Sequence, residues 1–150
     1  MQIRHIVCFG NELHGDDGFG IRMYAELCQL AWANDVKVFN AGIAGLDALR
    51  FLEDCQQAVL VDALANFGHV GDVCLVKPEE LAERPQRLSS HGLGLVYLLE
   101  ALKVIREPLP DMWIVGVEIA SITPFSPGLS DKTAQAMPRA IQLIQELLSV

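Results

Sequence analysis

Ile3-Arg4-His5-Ile6-Val7-Cys8-Phe9 runs directly into Gly10-Asn11-Glu12-Leu13-His14-Gly15-Asp16-Asp17-Gly18-Phe19-Gly20-Ile21-Arg22. The first seven residues read as a buried strand, and Met23, Leu27 and Leu30 lie on one face of a helix predicted over about residues 18–31. A strand, a glycine-rich turn and a helix therefore meet here. A phosphate-binding turn offers backbone N–H groups and often a lysine, whereas this one offers Glu12, Asp16 and Asp17. Carboxylates in a strand-to-helix turn suit a cation.

The same alternation continues outward. A short strand is predicted at residues 36–40 after the turn Asn34-Asp35, and a helix from the glycines of Ala41-Gly42-Ile43-Ala44-Gly45, with Leu46, Leu49 and Leu52 at helical spacing. Ala58-Val59-Leu60-Val61 reads as a third strand ending in Asp62. Strands alternating with helices imply a parallel sheet covered on both faces. Residues 65–71 are too few for a crossover helix, so a fourth strand at 72–77 is expected antiparallel to the third. A polar segment, 78–90, leads to a helix over about 91–104 with Leu95, Leu98, Leu99 and Leu102 buried and Ser89 or Ser90 as N-cap. A fifth strand at 112–117 precedes a loop with Pro124, Pro127 and Gly128. Ser130 then caps a last helix to about Leu148, which Pro138 is expected to kink or to divide. Residues 1–150 read as a single domain, without repeats or linkers.

Composition narrows the function classes. The net charge is −8 and the eleven Lys and Arg residues are scattered, which argues against nucleic acid and anionic membranes as partners. No apolar run approaches about 18 residues and the first residues do not resemble a signal peptide, so a soluble, cytoplasmic protein is expected. Cys8, Cys28, Cys55 and Cys74 are widely spaced among apolar neighbours and read as small buried hydrophobes of a reduced protein.

In an open α/β sheet, sites form outside the carboxyl ends of the strands. Asp17 in the first turn, Asp62 at the end of the third strand and His91 at the start of a helix all fall at that level. A helix N-terminus favours Asp17 as carboxylate and His91 as neutral imidazole, the ligand form of each. Two carboxylates and one imidazole suit a divalent ion, with imidazole favouring nickel or zinc over manganese. Competing readings remain open: Asp17 as a helix cap with Asp16 as the ligand, Asp62 bonding the following turn, and His91 as a plain first-turn residue. His14 and His69 are further ligand candidates, and His5 reads as a strand histidine. No G-x-S-x-G elbow, H-E-x-x-H helix or Cys–His–Asp arrangement is present, and Gly10, Gly15, Gly18 and Gly20 do not space as G-x-G-x-x-G.

Gly10-Asn11-x-Leu13-x-x-Asp16-Asp17-Gly18-x-Gly20-Ile21-Arg22, Gly42-x-x-Gly45-Leu46, Val61-Asp62-Ala63, Ser90-His91-Gly92-Leu93-Gly94, Val115-Gly116-Val117-Glu118 and Gly128-Leu129-Ser130, in that order, resemble the hydrogenase maturation proteases. The resemblance implies a three-layer α/β/α sandwich around a mostly parallel, mixed sheet of about five strands. It also implies an endopeptidase that trims the C-terminus of the nickel-iron hydrogenase large-subunit precursor. The family's metal-binding residues map onto Asp17, Asp62 and His91, and the nickel they recognise is supplied by the precursor; zinc or another divalent ion is expected to substitute in vitro. Attack by water is expected, the water being metal-bound or activated by Asp16 as base. A monomer is expected. The alternatives are a nickel-checking assembly factor that does not cut and a stand-alone metal-dependent peptidase. One departure is Asn40, where family members often carry an acid.

Overall fold

The computed structural model describes residues 2–86, 94–120 and 122–149. Its centre is one five-stranded sheet in the order β2-β1-β3-β5-β4, built from β1 (Arg4–Phe9), β2 (Val36–Gly42), β3 (Gln57–Leu64), β4 (Val73–Val76) and β5 (Asp111–Glu118). Four strands are parallel and β4 runs antiparallel to β5. Helices α1 (Phe19–Leu27) and α4 (Asp131–Leu148) cover one face of the sheet. The other face carries α2 (Pro78–Glu83), α3 (Gly94–Ile105) and a 3-10 segment, Gly45–Phe51. This is the expected three-layer, mostly parallel arrangement.

Side-chain alternation along the strands divides the core in two. Ile6, Cys8, Val59, Val61, Val115 and Val117 face α1 and α4. Val7, Phe9, Ala58, Leu60, Met112 and Ile114 face α3 and the 3-10 segment. Phe19, Met23 and Leu27, four residues apart, are fully buried from α1, each contributing about 1.5–3 kcal/mol of transfer free energy.

Several expectations are corrected. Helix α1 stops at Leu27, not near residue 31: the Gln29 and Leu30 N–H groups turn to the carbonyls three residues back, Glu26 and Leu27, at 3.1 and 3.2 Å, and the Trp32 indole N–H also takes the Leu27 carbonyl at 2.8 Å. The leucines 46, 49 and 52 lie in and just after a 3-10 segment, not an α-helix. Strand β3 continues through Asp62 to Leu64, since β5 pairs with it that far. Strand β4 is antiparallel to β3 in direction, but its hydrogen-bonded neighbour is β5, which lies between them. The polar segment after it contains α2, in which Pro78 occupies the first turn and Glu80 accepts the Lys77 N–H. Helix α4 runs through Pro138 without a boundary, with Pro138 and Ala134 on its exposed side. Cys28 is exposed, unlike the other three cysteines. Ser89 and Ser90 lie outside the described residues.

Arg4 joins the start of the sheet to two other elements, with Nε 2.7 Å from Asp35 and a bond to the Leu148 carbonyl at the end of α4. The Arg4 hydrogen bond holds the Asp35 carboxyl below its ordinary range. A lowered folded value stabilises the fold above the unfolded carboxylate value, about 3.9, and that contribution is lost as pH falls through the folded value. Asp35→Asn should therefore be less stable than the parent at neutral pH, and the gap in urea midpoint should close in acid. A gap independent of pH would show that the ion pair is not its source.

Candidate functional site

At the carboxyl edge of the sheet the chain leaves β1 into a tight loop and a 3-10 turn, Gly15–Gly18, which delivers Asp17. Close packing shapes this loop. Gly10 has φ +145°, and a Cβ there would lie 2.2 Å from the Asp17 carbonyl oxygen. A Cβ on Gly20 would lie 1.9 Å from the Phe9 carbonyl oxygen. Only glycine lets α1 start against β1 and the loop fold over its own end. The Asp17 carbonyl then accepts the Asn11 N–H at 3.1 Å, and the Asp17 N–H donates to the His14 carbonyl at 3.2 Å. The glycines of the opening motif thus serve backbone approach.

Asp62 reaches the same edge from β3. Pairing between β1 and β3 ends at Cys8 with Val61, while pairing with β5 sets Asp62 opposite Gly116. Asp62 is therefore the first β3 residue beyond its β1 partner, beside the space where β1 has turned away. Its parity places it on the face shared with Leu60 and Leu64, the α3 side. Asp17 is 2 % exposed and Asp62 6 %, so two carboxyl groups are buried together. Burial pushes the Asp62 carboxyl well above its usual range, the Asp17 charge pushes it further, and the hydrogen bond from the Ala63 N–H at 2.8 Å opposes both. A divalent cation favours the ionised form that burial and like charge disfavour, so the pair suits a divalent-cation site. Among the described residues no group of three His, Cys, Asp or Glu side chains is placed to hold a metal. His91, the third ligand implied by resemblance, lies outside them.

Asp16, adjacent in sequence, faces elsewhere. Its Oδ1 accepts the Ser130 N–H at 2.7 Å and its Oδ2 the Ser130 hydroxyl at 2.8 Å. Ser130 is the N-cap of α4 by position, but its hydroxyl bonds Asp16 and approaches Thr133 Oγ1 at 3.2 Å instead of capping the helix backbone. The same two loops also meet through the Gly15 N–H on the Ser126 carbonyl and the rings of His14 and Phe125, 5.1 Å apart. Asp16 thus latches the loop after β1 to the start of α4.

The other candidates separate from the carboxylate pair. His69 is almost fully exposed in the loop before β4, and its backbone N–H bonds Asp72. Nδ1 of His5 lies 2.7 Å from the Phe51 carbonyl, as expected of a strand histidine. Glu12 is exposed, and Asn40 is an exposed residue of β2 paired with Cys8 of β1. Cys8 is buried, and desolvation, with smaller effects of Cys28 and Asp62, raises its thiol far out of the range of a thiolate nucleophile.

Sequence reasoning gave no role to Glu118, which is buried at the end of β5. Its Oε1 accepts the N–H groups of Phe67 and Gly68 at 2.8 and 3.2 Å, and its Oε2 that of Asn66 at 3.0 Å. Glu118 thereby fixes the loop that follows β3, a few residues beyond Asp62. The available signal was a carboxylate directly after the apolar run Ile114–Val117, the same pattern that singles out Asp62.

The fold and this edge define an α/β protein with a buried acidic site where parallel strands end. The hydrogenase maturation protease family model matches residues 21–147. A Methanocaldococcus jannaschii protein assigned to the hydrogenase maturation proteases is 30% identical over 144 residues, covering 93% of this chain and 92% of that one. The hydrogenase 3 maturation protease of Escherichia coli is 28% identical over 116 residues, 75% of this chain and 70% of its own. Among solved structures, the E. coli hydrogenase maturating endopeptidase HybD superposes with a TM-score of 0.84 at 23% identity, over 97% of this chain and 91% of that one. A hydrogenase 2 maturation peptidase from a thaumarchaeon gives 0.70 at 28% identity over 99% of both. The chain belongs to the hydrogenase maturation protease family, a family of peptidases.

A charge buried beside another charge weakens the fold that carries it. Asp62→Asn keeps an oxygen for the Ala63 N–H and cannot ionise. At neutral pH the variant should unfold at the same or a higher urea concentration than the parent. A loss of about 1 kcal/mol or more would show instead that the Asp62 charge stabilises the fold.

Proposed function

We propose that this chain is an endopeptidase that removes a C-terminal peptide from the nickel-loaded precursor of a nickel-iron hydrogenase large subunit, working in the cytoplasm. The observation that carries the reading is the buried pair Asp17 and Asp62 at the carboxyl edge, a site suited to a divalent ion. Nickel here belongs to the substrate. Binding requires Asp62 to give up any proton it holds, so metal recognition and ionisation are coupled. His91 supplies the third ligand in this reading, and zinc or another divalent ion substitutes in vitro.

The crevice rim supports a protein substrate. Leu13 after β1, Ile43 and Leu46 after β2, and Phe125 after β5 are large, exposed apolar residues at this same edge, Phe125 being 82 % exposed. Such a rim favours a macromolecular surface over a short polar peptide acting alone. The partner is the large-subunit precursor, engaged by a monomer of this chain.

With the metal engaged at Asp17, Asp62 and His91, the C-terminal segment lies across the crevice. Water adds to the scissile carbonyl carbon and gives up a proton, and the tetrahedral intermediate collapses with departure of the protonated amine. Burial raises the thiols of Cys8, Cys55 and Cys74 away from a nucleophilic form, and nickel can lower the pKa of a bound water. Asp16 is the other source of a base, although both its oxygens accept bonds from Ser130.

Mass spectrometry of the large-subunit precursor, incubated with the protein with and without nickel, tests the proposal. Loss of a C-terminal peptide only from the nickel-loaded form is expected. Nickel-dependent binding without cutting would favour the assembly factor, and cutting of a metal-free peptide the stand-alone peptidase. His91→Ala should abolish processing without unfolding the protein; full processing by it would overturn the ligand assignment. Asp16→Asn and Ser130→Ala separate latch from base. Similar partial losses from both indicate the latch, whereas complete loss from Asp16→Asn alone makes Asp16 the base.

A further inference from the structure

Strand β4 closes one side of the sheet, and its outer edge has no strand partner among the described residues. The Glu118 N–H bonds the Asp72 carbonyl at 2.9 Å. Antiparallel pairs alternate between bonded and non-bonded, so Cys74 and Val76 bond β5, while Val73 and Leu75 turn their N–H and C=O groups outward. This open edge forms the floor of a groove of about 720 Å³, with Glu80 and Arg84 on the α2 side and Lys132 and Arg139 on the α4 side. A strand edge flanked by two walls is the geometry in which an extended peptide adds to a sheet.

The charge of the groove is unlike that of the chain. Three cations, Arg84, Lys132 and Arg139, meet two carboxylates, Asp72 and Glu80, on a chain of net charge −8. Each of those carboxylates already accepts a backbone N–H, from His69 and Lys77 respectively. Arg139 has only a long, 3.9 Å approach to Glu146, and Lys132 makes no ion pair among the described residues. Pairing with a second copy would bring like cations together across a short strand, so the edge disfavours itself as partner and favours an acidic one.

The groove lies level with Asp62, with β5 between them. Asp62 is level with Gly116, and Gly116 with Cys74, so the open edge begins two strand spacings, roughly 10 Å, from β3. We infer that the β4 groove binds an extended, acidic segment of the precursor polypeptide as an added strand, anchoring it beside the site that cuts it. The identity of the partner rests on the proposed function; the groove itself rests on the register and the charges above.

The test compares parent, Leu75→Pro and the double variant Lys132→Glu/Arg139→Glu, using the nickel-loaded precursor as both ligand and substrate. Proline at 75 removes an outward N–H without breaking a bond to β5, and the charge reversals lie on the surface of α4, which keeps the test valid if Leu75→Pro does not fold. Precursor binding should weaken about tenfold in each folded variant, with KM raised and kcat unchanged. Added salt should weaken the parent more than the charge-reversed variant. Unchanged KM and affinity in the charge-reversed variant, with the parent still cutting, would overturn the groove and leave the proposed function standing. No binding or cutting by the parent would overturn the proposed function and, with it, this occupant. A parent dimer that becomes monomeric in either variant would make the groove a self-interface and overturn the inference.

Discussion

Burying Asp62 beside Asp17 costs the fold free energy, because the Asp62 carboxylate loses water and the Asp17 charge repels it. Much of the surrounding structure holds that arrangement in place. β1 turns away after its last pair with β3, which leaves Asp62 beside a gap in the sheet, and the glycine-rich loop folds back to bring Asp17 to it. A cation is the partner that relieves this cost most directly. In the proposed function, the unfavourable local electrostatics and the recognition of a metal therefore have the same origin.

The loops around the pair are held by polar contacts that join distant parts of the chain. Asp16 takes both donors of Ser130, 114 residues away. Glu118 gathers three backbone N–H groups of the loop after β3. Three carboxylates at one edge thus have different work: Asp62 faces its buried neighbour Asp17, while Asp16 and Glu118 fasten the loops to either side. Rigid support of this kind is what a site needs if a substrate-borne ion is to be discriminated by geometry. The exposed apolar side chains of Leu13 and Phe125 sit on the two loops that Asp16 joins, so that latch also holds this part of the rim.

Much of this was legible because local signals were strong. The apolar run of β1, the glycines after it and the spacing of Met23 and Leu27 defined a strand, turn and helix, and strand-end position singled out Asp17 and Asp62. What escaped the sequence depended on neighbours far away. Pro78 reads as a breaker in isolation yet opens α2, since its missing N–H has no partner to lose in a first turn. Leu46, Leu49 and Leu52 suit either an α-helix or a tighter turn. The partner of β4 is β5, nearly forty residues downstream in the chain, and no local pattern encodes it. Asp16 resembled a ligand because its bond to Ser130 crosses most of the sequence. Glu118 carried the same strand-end signal as Asp62, but its role depends on a loop whose shape is set only in the folded chain.

In the proposed function, Asp17 and Asp62 meet the nickel of the precursor. Nickel X-ray absorption of the nickel-loaded precursor, alone and stalled in complex with this protein, tests it most directly. Added oxygen or nitrogen ligands on complex formation are predicted, and they should be lost when Asp17→Ala and Asp62→Ala are combined. A nickel environment unchanged by the parent protein, in a complex shown to have formed, would contradict the account.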